Sequence, residues 1–111
     1  MKRNPIEKQK KDYYDTIKFR TIHPRIFYTE CCKCGNEFKH EKMYACEHRD
    51  AYFDMHHTTK GCNECFPSID AFKQYCMENI IVPETDWYYN GEPCTPHMKR
   101  FMTLYDKISS K

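Results

Sequence analysis

A small α+β domain closed around a bound metal is the fold class this sequence predicts, and three observations predict it. Two Cys-x2-Cys pairs, Cys31/Cys34 and Cys62/Cys65, stand within a chain of 111 residues. The stretch between them is rich in β-formers grouped on either side of the polar segment Glu47-His48-Arg49-Asp50. Directly after the second pair, Pro67 and Ser68 introduce an apolar pattern of helical period. A Cys-x2-Cys turn presents two sulfurs on one side of a tight bend, so two such turns supply the four soft ligands of a closed tetrahedral zinc shell. One structural Zn²⁺ held by Cys31, Cys34, Cys62 and Cys65 is therefore expected.

Two other uses of paired cysteines fit less well. A redox pair is a single Cys-x-x-Cys in a βαβ setting, and neither pair has that setting. Disulfides need an oxidising compartment, and the first residues, Met1-Lys2-Arg3-Asn4-Pro5, carry no apolar segment that would direct the chain to one. A cytoplasmic, reducing location is the expectation, with thiols left available to metal. At 40% hydrophobic residues the chain makes one domain, residues 1–111, with a modest core that a metal staple would reinforce. No apolar run approaches the roughly 18 residues of a membrane span.

The elements follow in order. Asn4, Pro5 and Glu7 read as cap, first helical position and capping partner of a helix over residues 5–18. In it Ile6, Tyr13, Tyr14 and Ile17 share one face, and Lys8, Lys10, Lys11 and Lys18 make the rest basic. Residues 30–80 hold the metal-binding core. Arg25-Ile26-Phe27-Tyr28-Thr29 reads as a strand leading into Cys31, and Gly35 and Asn36 suit the positive φ of a knuckle turn after Cys34. This context favours Cys31 with Cys34 as the ligand pair and leaves Cys32 as a spare thiol, although Cys32 in place of Cys31 stays open. Met43-Tyr44-Ala45 and Ala51-Tyr52-Phe53 read as the two strands of a hairpin. Ile69, Phe72, Cys76 and Ile80 then mark one face of a helix that Pro83 ends, with Cys76 as a small buried hydrophobe. Residues 84–111 comprise an acidic, aromatic loop and a last helix. Asn90-Gly91 is a turn signal, Thr95-Pro96 a helix start, and Met98, Phe101, Met102, Tyr105 and Ile108 an apolar stripe expected to close the core.

Knuckle, hairpin and a helix that begins at the second ligand pair resemble a treble-clef zinc finger over about residues 30–80. The resemblance implies an architecture shared by nucleases, ribosomal proteins, ubiquitin ligases and adaptors, and so no single activity. Two further patterns sit on it. Cys46-x-His48 and Cys94-x2-His97 are a candidate second zinc set whose interleaving with the first resembles the cross-brace of RING-type domains, although residues 49–61 make a far longer spacer between His48 and Cys62 than those domains have. His56 and His57, with Asp54 and Asn79, resemble part of the catalytic set of HNH-type nucleases, which use a hairpin histidine beside a divalent metal. The asparagine-containing segment that should follow the histidine is missing, since only Thr58, Thr59, Lys60 and Gly61 intervene, and exposed histidines at a strand end are the preferred reading.

No phosphate-binding loop, nucleophile elbow or dinucleotide fingerprint is present, and Cys32, Cys76 and Cys94 have no base placed beside them by the sequence. The formal charge is +2; four thiolates and a dication contribute −2 together, so the holo chain is close to neutral and does not read as a generic polyanion binder. Charge is nonetheless segregated. Residues 1–20 carry seven Lys/Arg against three acids, residues 66–95 one Lys against five acids, and residues 96–111 four Lys/Arg against one. Nine tyrosines are more than so small a core absorbs, and Tyr and Trp suit interface centres. Trp87, Tyr88 and Tyr89 are accordingly the expected partner-binding anchors, with Lys8, Lys10 and Lys11 as supporting charge.

The function expected is non-catalytic: a zinc-stabilised module that binds a protein, with RNA or DNA binding as the alternative and an HNH-like nuclease as the rival from another class. A small domain rich in Lys, Tyr and Cys, without catalytic motifs, would suit a viral or mobile-element accessory protein.

Overall fold

The computed structural model describes residues 5–51 and 55–109. It is a small α+β structure of three helices and short antiparallel sheets. Helix α1 spans Pro5–Asp15 and is followed by β1, Lys18–Ile22. Strands β2 (Thr29–Glu30) and β3 (Glu37–Phe38) pair with each other across the first cysteine pair. Strands β4 (Met43–Arg49) and β5 (His56–Cys62) form a long hairpin, and β1 adds to the other side of β4, giving a three-stranded antiparallel sheet of order β1-β4-β5. Helix α2 covers Ile69–Asn79; a 3-10 turn at Glu84–Trp87 and the two-residue strands β6 (Tyr88–Tyr89) and β7 (Glu92–Pro93) lead to α3, Pro96–Ser109.

Register explains the core. Phe19 of β1 lies opposite Cys46 of β4, which lies opposite Thr59 of β5, and Tyr44 lies opposite Thr21 and Gly61. Since side chains alternate across a strand, these residues share the face onto which α2 packs. Phe72 of α2 meets Tyr44 in a stacked pair at 6.0 Å and Phe19 and Phe66 edge-on at 6.2 and 5.1 Å. Gly61 is required here. A Cβ built on it would fall 2.5 Å from the Phe66 ring and 2.8 Å from that of Phe72.

Helix α2 keeps the expected start: the Ser68 side chain accepts a hydrogen bond from the Ala71 backbone, and Phe72 and Cys76 are buried. The Asn90-Gly91 turn is also as expected, with both residues at positive φ (52° and 83°) between β6 and β7. Other expectations are corrected. Helix α1 stops at Asp15, not at residue 18, because the Thr16 amide and hydroxyl fold back on the Tyr13 carbonyl and Lys18 already pairs with Glu47 in the sheet. The run 25–29 is not a strand beyond Thr29; Ile26, Phe27 and Tyr28 stand exposed. The strand that pairs with β4 is His56–Cys62; of the expected strand Ala51-Tyr52-Phe53, Ala51 lies in a turn and Tyr52 and Phe53 lie outside the described residues.

The flanking segments dock on one another. Tyr13 and Tyr14 of α1 bracket Val82, whose backbone N–H donates to the Tyr13 hydroxyl and whose carbonyl accepts from that of Tyr14. Both rings also meet Trp87, at 5.7 and 6.3 Å. Lys10 pairs with Glu84, and Lys99 of α3 reaches Asp86 at 2.8 Å. The basic ends thus neutralise part of the acidic segment within the same molecule. The expectation that α3 closes the core is overturned. Its stripe faces solvent, with Phe101 63% and Ile108 73% exposed, because α3 packs chiefly on the 3-10 turn and β6 and not on the sheet.

Candidate metal centre

Cys31 closes the knuckle through its backbone, its N–H donating to the Asn36 carbonyl and its carbonyl accepting from Gly35, which adopts φ 74°. That left-handed residue turns the chain so that Cys34 comes back beside Cys31. The second pair sits where β5 ends: Met43 lies opposite Cys62 at the last rung of the hairpin, and the Phe66 amide donates to the Cys62 carbonyl to tighten the turn that carries Cys65. The two turns are stitched together by the Cys32 amide, which donates to the Lys60 carbonyl at 2.7 Å.

The result is a four-sulfur cluster. The Sγ atoms of Cys31, Cys34, Cys62 and Cys65 all lie within 4.8 Å of one another, and Cys34 and Cys62 are 3.9 Å apart. Four thiolates at the usual zinc–sulfur distance of about 2.3 Å define a tetrahedron with edges of about 3.8 Å, so the donor set and spacing fit a zinc-sized ion. Of the two neighbouring thiols, Cys31 belongs to this group and Cys32 lies outside it.

The surroundings favour a thiolate at Cys31. The Lys33 and Cys62 amides both donate to the Cys31 sulfur at 3.4 Å, and the Cys65 amide donates to the Cys62 sulfur at 3.4 Å. Burial pushes the Cys31 thiol up, but the backbone amides of Cys34, Cys62 and Lys33 together outweigh it and bring it down to about 6. Cys65, whose thiol bonds toward Cys62 and then suffers some burial, is pushed up to about 12. A cluster with one acidic thiol and reluctant neighbours is what four sulfurs without a countercharge produce; a dication supplies the charge that lets all four ionise.

The second candidate set does not assemble. Cys46, buried on β4, points at Cys76 of α2, and its hydrogen bond with that thiol draws the Cys46 thiol down. His48, one alternation further on, meets the Thr59 hydroxyl at 3.1 Å and the His57 ring at 5.8 Å. Cys94 is tied by its amide to the Trp87 carbonyl, and His97, in the first turn of α3, lines a cavity that Arg49 and Asp50 also line. Among the described residues, only Cys31, Cys34, Cys62 and Cys65 converge closely enough to hold a metal.

The HNH-like residues are also dispersed. His56 is exposed opposite Arg49, His57 lies 3.4 Å from the Asp50 carboxylate, and the Asn79 side chain donates to the Tyr75 carbonyl within its own helix. Asp54 lies outside the described residues. Of the expected anchors, Trp87 is 3% exposed and belongs to the core, Tyr89 is half-buried, and Tyr88 is exposed. Lys8 and Lys11 are exposed, whereas Lys10 is held by Glu84 and lies 5.3 Å from the Tyr88 ring. Sequence reasoning missed Gly61, for which the one available signal was a glycine immediately before Cys62.

No protein-family model matches the chain, and no curated protein or solved structure is similar to it at a significant level. No helix among the described residues is long and apolar enough to cross a membrane.

Proposed function

We propose that the protein is a zinc-stapled, non-catalytic binding module whose partner is another protein. The observation that carries this reading is the four-sulfur cluster. With four protein thiolates in place a zinc shell is full, so the metal has no position left for water or substrate and works as a scaffold. The knuckle at Cys31–Cys34, the β4–β5 hairpin and α2 after Cys65 follow the order of a treble clef, and we take that as the architecture the metal holds together.

Two features support a protein partner over a nucleic acid. The basic ends are partly occupied inside the molecule, through Lys10 with Glu84 and Lys99 with Asp86. The surface is instead marked by large exposed apolar side chains, including Ile26 at 78% and Phe27 at 80%. Apolar and aromatic contact is what protein interfaces use at their centres, whereas phosphate binding needs unpaired cations.

The test is affinity purification from the native cell, with and without nuclease treatment, alongside a cleavage assay. The expected outcome is a co-purifying protein at fixed stoichiometry that survives nuclease. Loss of the bound material on nuclease treatment would move the assignment to RNA or DNA binding. Mg²⁺- or Mn²⁺-dependent cleavage of plasmid or single-stranded substrate, absent in His56→Ala/His57→Ala protein, would make it an enzyme.

A further inference from the structure

Helix α3 is built as an amphipathic helix and has nothing to be amphipathic against. At 100° per residue, Leu104, Ile108, Phe101, Tyr105, Met98 and Met102 fall in that angular order over an arc of about 160°, while Asp106, Lys99, Thr103, Lys107 and Arg100 fill the other side. An arc of that kind normally faces a core. Here every residue from Phe101 to Ser109 is exposed, on the apolar side as on the polar one.

The helix is anchored at its start. The Thr95 hydroxyl accepts from the Met98 amide, Pro96 is buried, and Lys99 reaches Asp86. Beyond that point about three turns project from the body, consistent with a radius of gyration of 17.2 Å. A compact domain of this length would have about 13 Å. A 14-residue helix is marginal on its own in water, so its stability has to come from packing that apolar arc.

We propose that α3 is a docking helix that lays this arc into an apolar groove on the protein partner. The inference rests on the reading that the partner is a protein, and adds which element engages it and what surface it needs. Met98, Phe101, Met102 and Tyr105 stand at i, i+3, i+4 and i+7, with Ile108 one turn on, the anchor spacing of helix-in-groove recognition.

Area selects the groove over a second copy of the helix. The six apolar side chains are 49%, 63%, 40%, 52%, 58% and 73% exposed in chain order. At about 200 Å² for a fully exposed large side chain, they leave roughly 650 Å² on one helix, at or above the largest patch a monomer usually shows. A groove that wraps the whole arc buries about 1,300 Å² over both partners, inside the range of specific interfaces. A lone α3–α3 pair covers only the seam of Met98, Phe101, Tyr105 and Ile108, buries under about 1,000 Å² in total, and leaves Met102 and Leu104 in water.

The test places a photoreactive phenylalanine analogue in the full-length chain, one position at a time, at Phe101, Tyr105 and Ile108 on the apolar arc and at Thr103 and Lys107 on the opposite side. Irradiation in the native cell should link the three arc positions to one and the same protein and leave the other two unlinked. Phe101→Asp/Ile108→Asp should weaken binding to that purified protein by more than about 30-fold, with zinc content and circular dichroism of the body unchanged. Equal linking from both sides, or linking only from residues outside α3, would overturn the docking helix while leaving a protein partner in place. Chain-to-chain links, with a dimer in sedimentation equilibrium that the double variant abolishes, would show that a second copy covers the arc. Flotation with phosphatidylserine-containing vesicles that the double variant loses would assign it to lipid. Links to no protein at all, together with nuclease-sensitive bound material, would sink the protein-binding reading itself.

Discussion

Trp87 shows what a single residue's neighbours can and cannot say. It stands among Pro83, Glu84, Asp86 and Gly91, a polar loop by composition, yet it is 3% exposed because α1, some seventy residues earlier, brings Tyr13 and Tyr14 against it. Nothing local signals that docking. The consequence is a stability effect and not a surface effect: Trp87→Ala should cost about 3–5 kcal/mol, read as a lowered denaturation midpoint. A variant as stable as the parent would contradict the packing. The cysteines are the opposite case. Their convergence was legible because tetrahedral thiolate chemistry needs close sequence pairs, and Cys31/Cys34 and Cys62/Cys65 are two such pairs.

His48 gives the residue scale a pH dependence. Burial, reinforced by the nearby His57, holds its imidazole below the usual 6.5. A histidine whose folded value is depressed binds fewer protons folded than unfolded, so its stabilising contribution is complete above about pH 6.5 and is lost as pH falls through the folded value. Denaturant midpoints measured with zinc in excess should fall on acidification below that point. In His48→Gln, which keeps a partner for the Thr59 hydroxyl, the fall should be shallower. An identical slope in both proteins would show that His48 does not contribute.

At the scale of elements, helix α2 and the Asn90-Gly91 turn were readable because their signals are local: a capping serine with an apolar period, and a dipeptide that accepts positive φ. Strand β1 was not. In Lys18–Ile22 only Phe19 and Ile22 are partly buried, a spacing of three that fits a helix as well as a strand, and only pairing with β4 decides between them. The β4–β5 hairpin was legible as a hairpin and not in its register, since register depends on Gly61 arriving under Phe66 and Phe72. Gly61→Ala should therefore destabilise by about 1–3 kcal/mol, with the Phe66 and Phe72 rings forced aside. Wild-type stability in this variant would mean that the rings do not pack on the backbone there.

Over the whole molecule, charge that looks segregated along the chain is brought together in space. The N-terminal and C-terminal helices meet the acidic segment through Lys10 with Glu84 and Lys99 with Asp86, which sequence order alone could not show. The sheet and α2 make one body, the 3-10 turn gathers both ends against it, and α3 extends outward. The four-cysteine cluster joins the β2–β3 knuckle to the end of β5 and the turn before α2, so a core this small would lean on a metal held there.

The most direct test of that claim is elemental analysis combined with native mass spectrometry of the purified chain and its cysteine variants. One zinc per chain is expected, retained in Cys32→Ser and lost together with the folded state in Cys34→Ser and Cys65→Ser. A folded protein that carries no metal, or one that keeps its metal when Cys34 and Cys65 are replaced, would contradict the account.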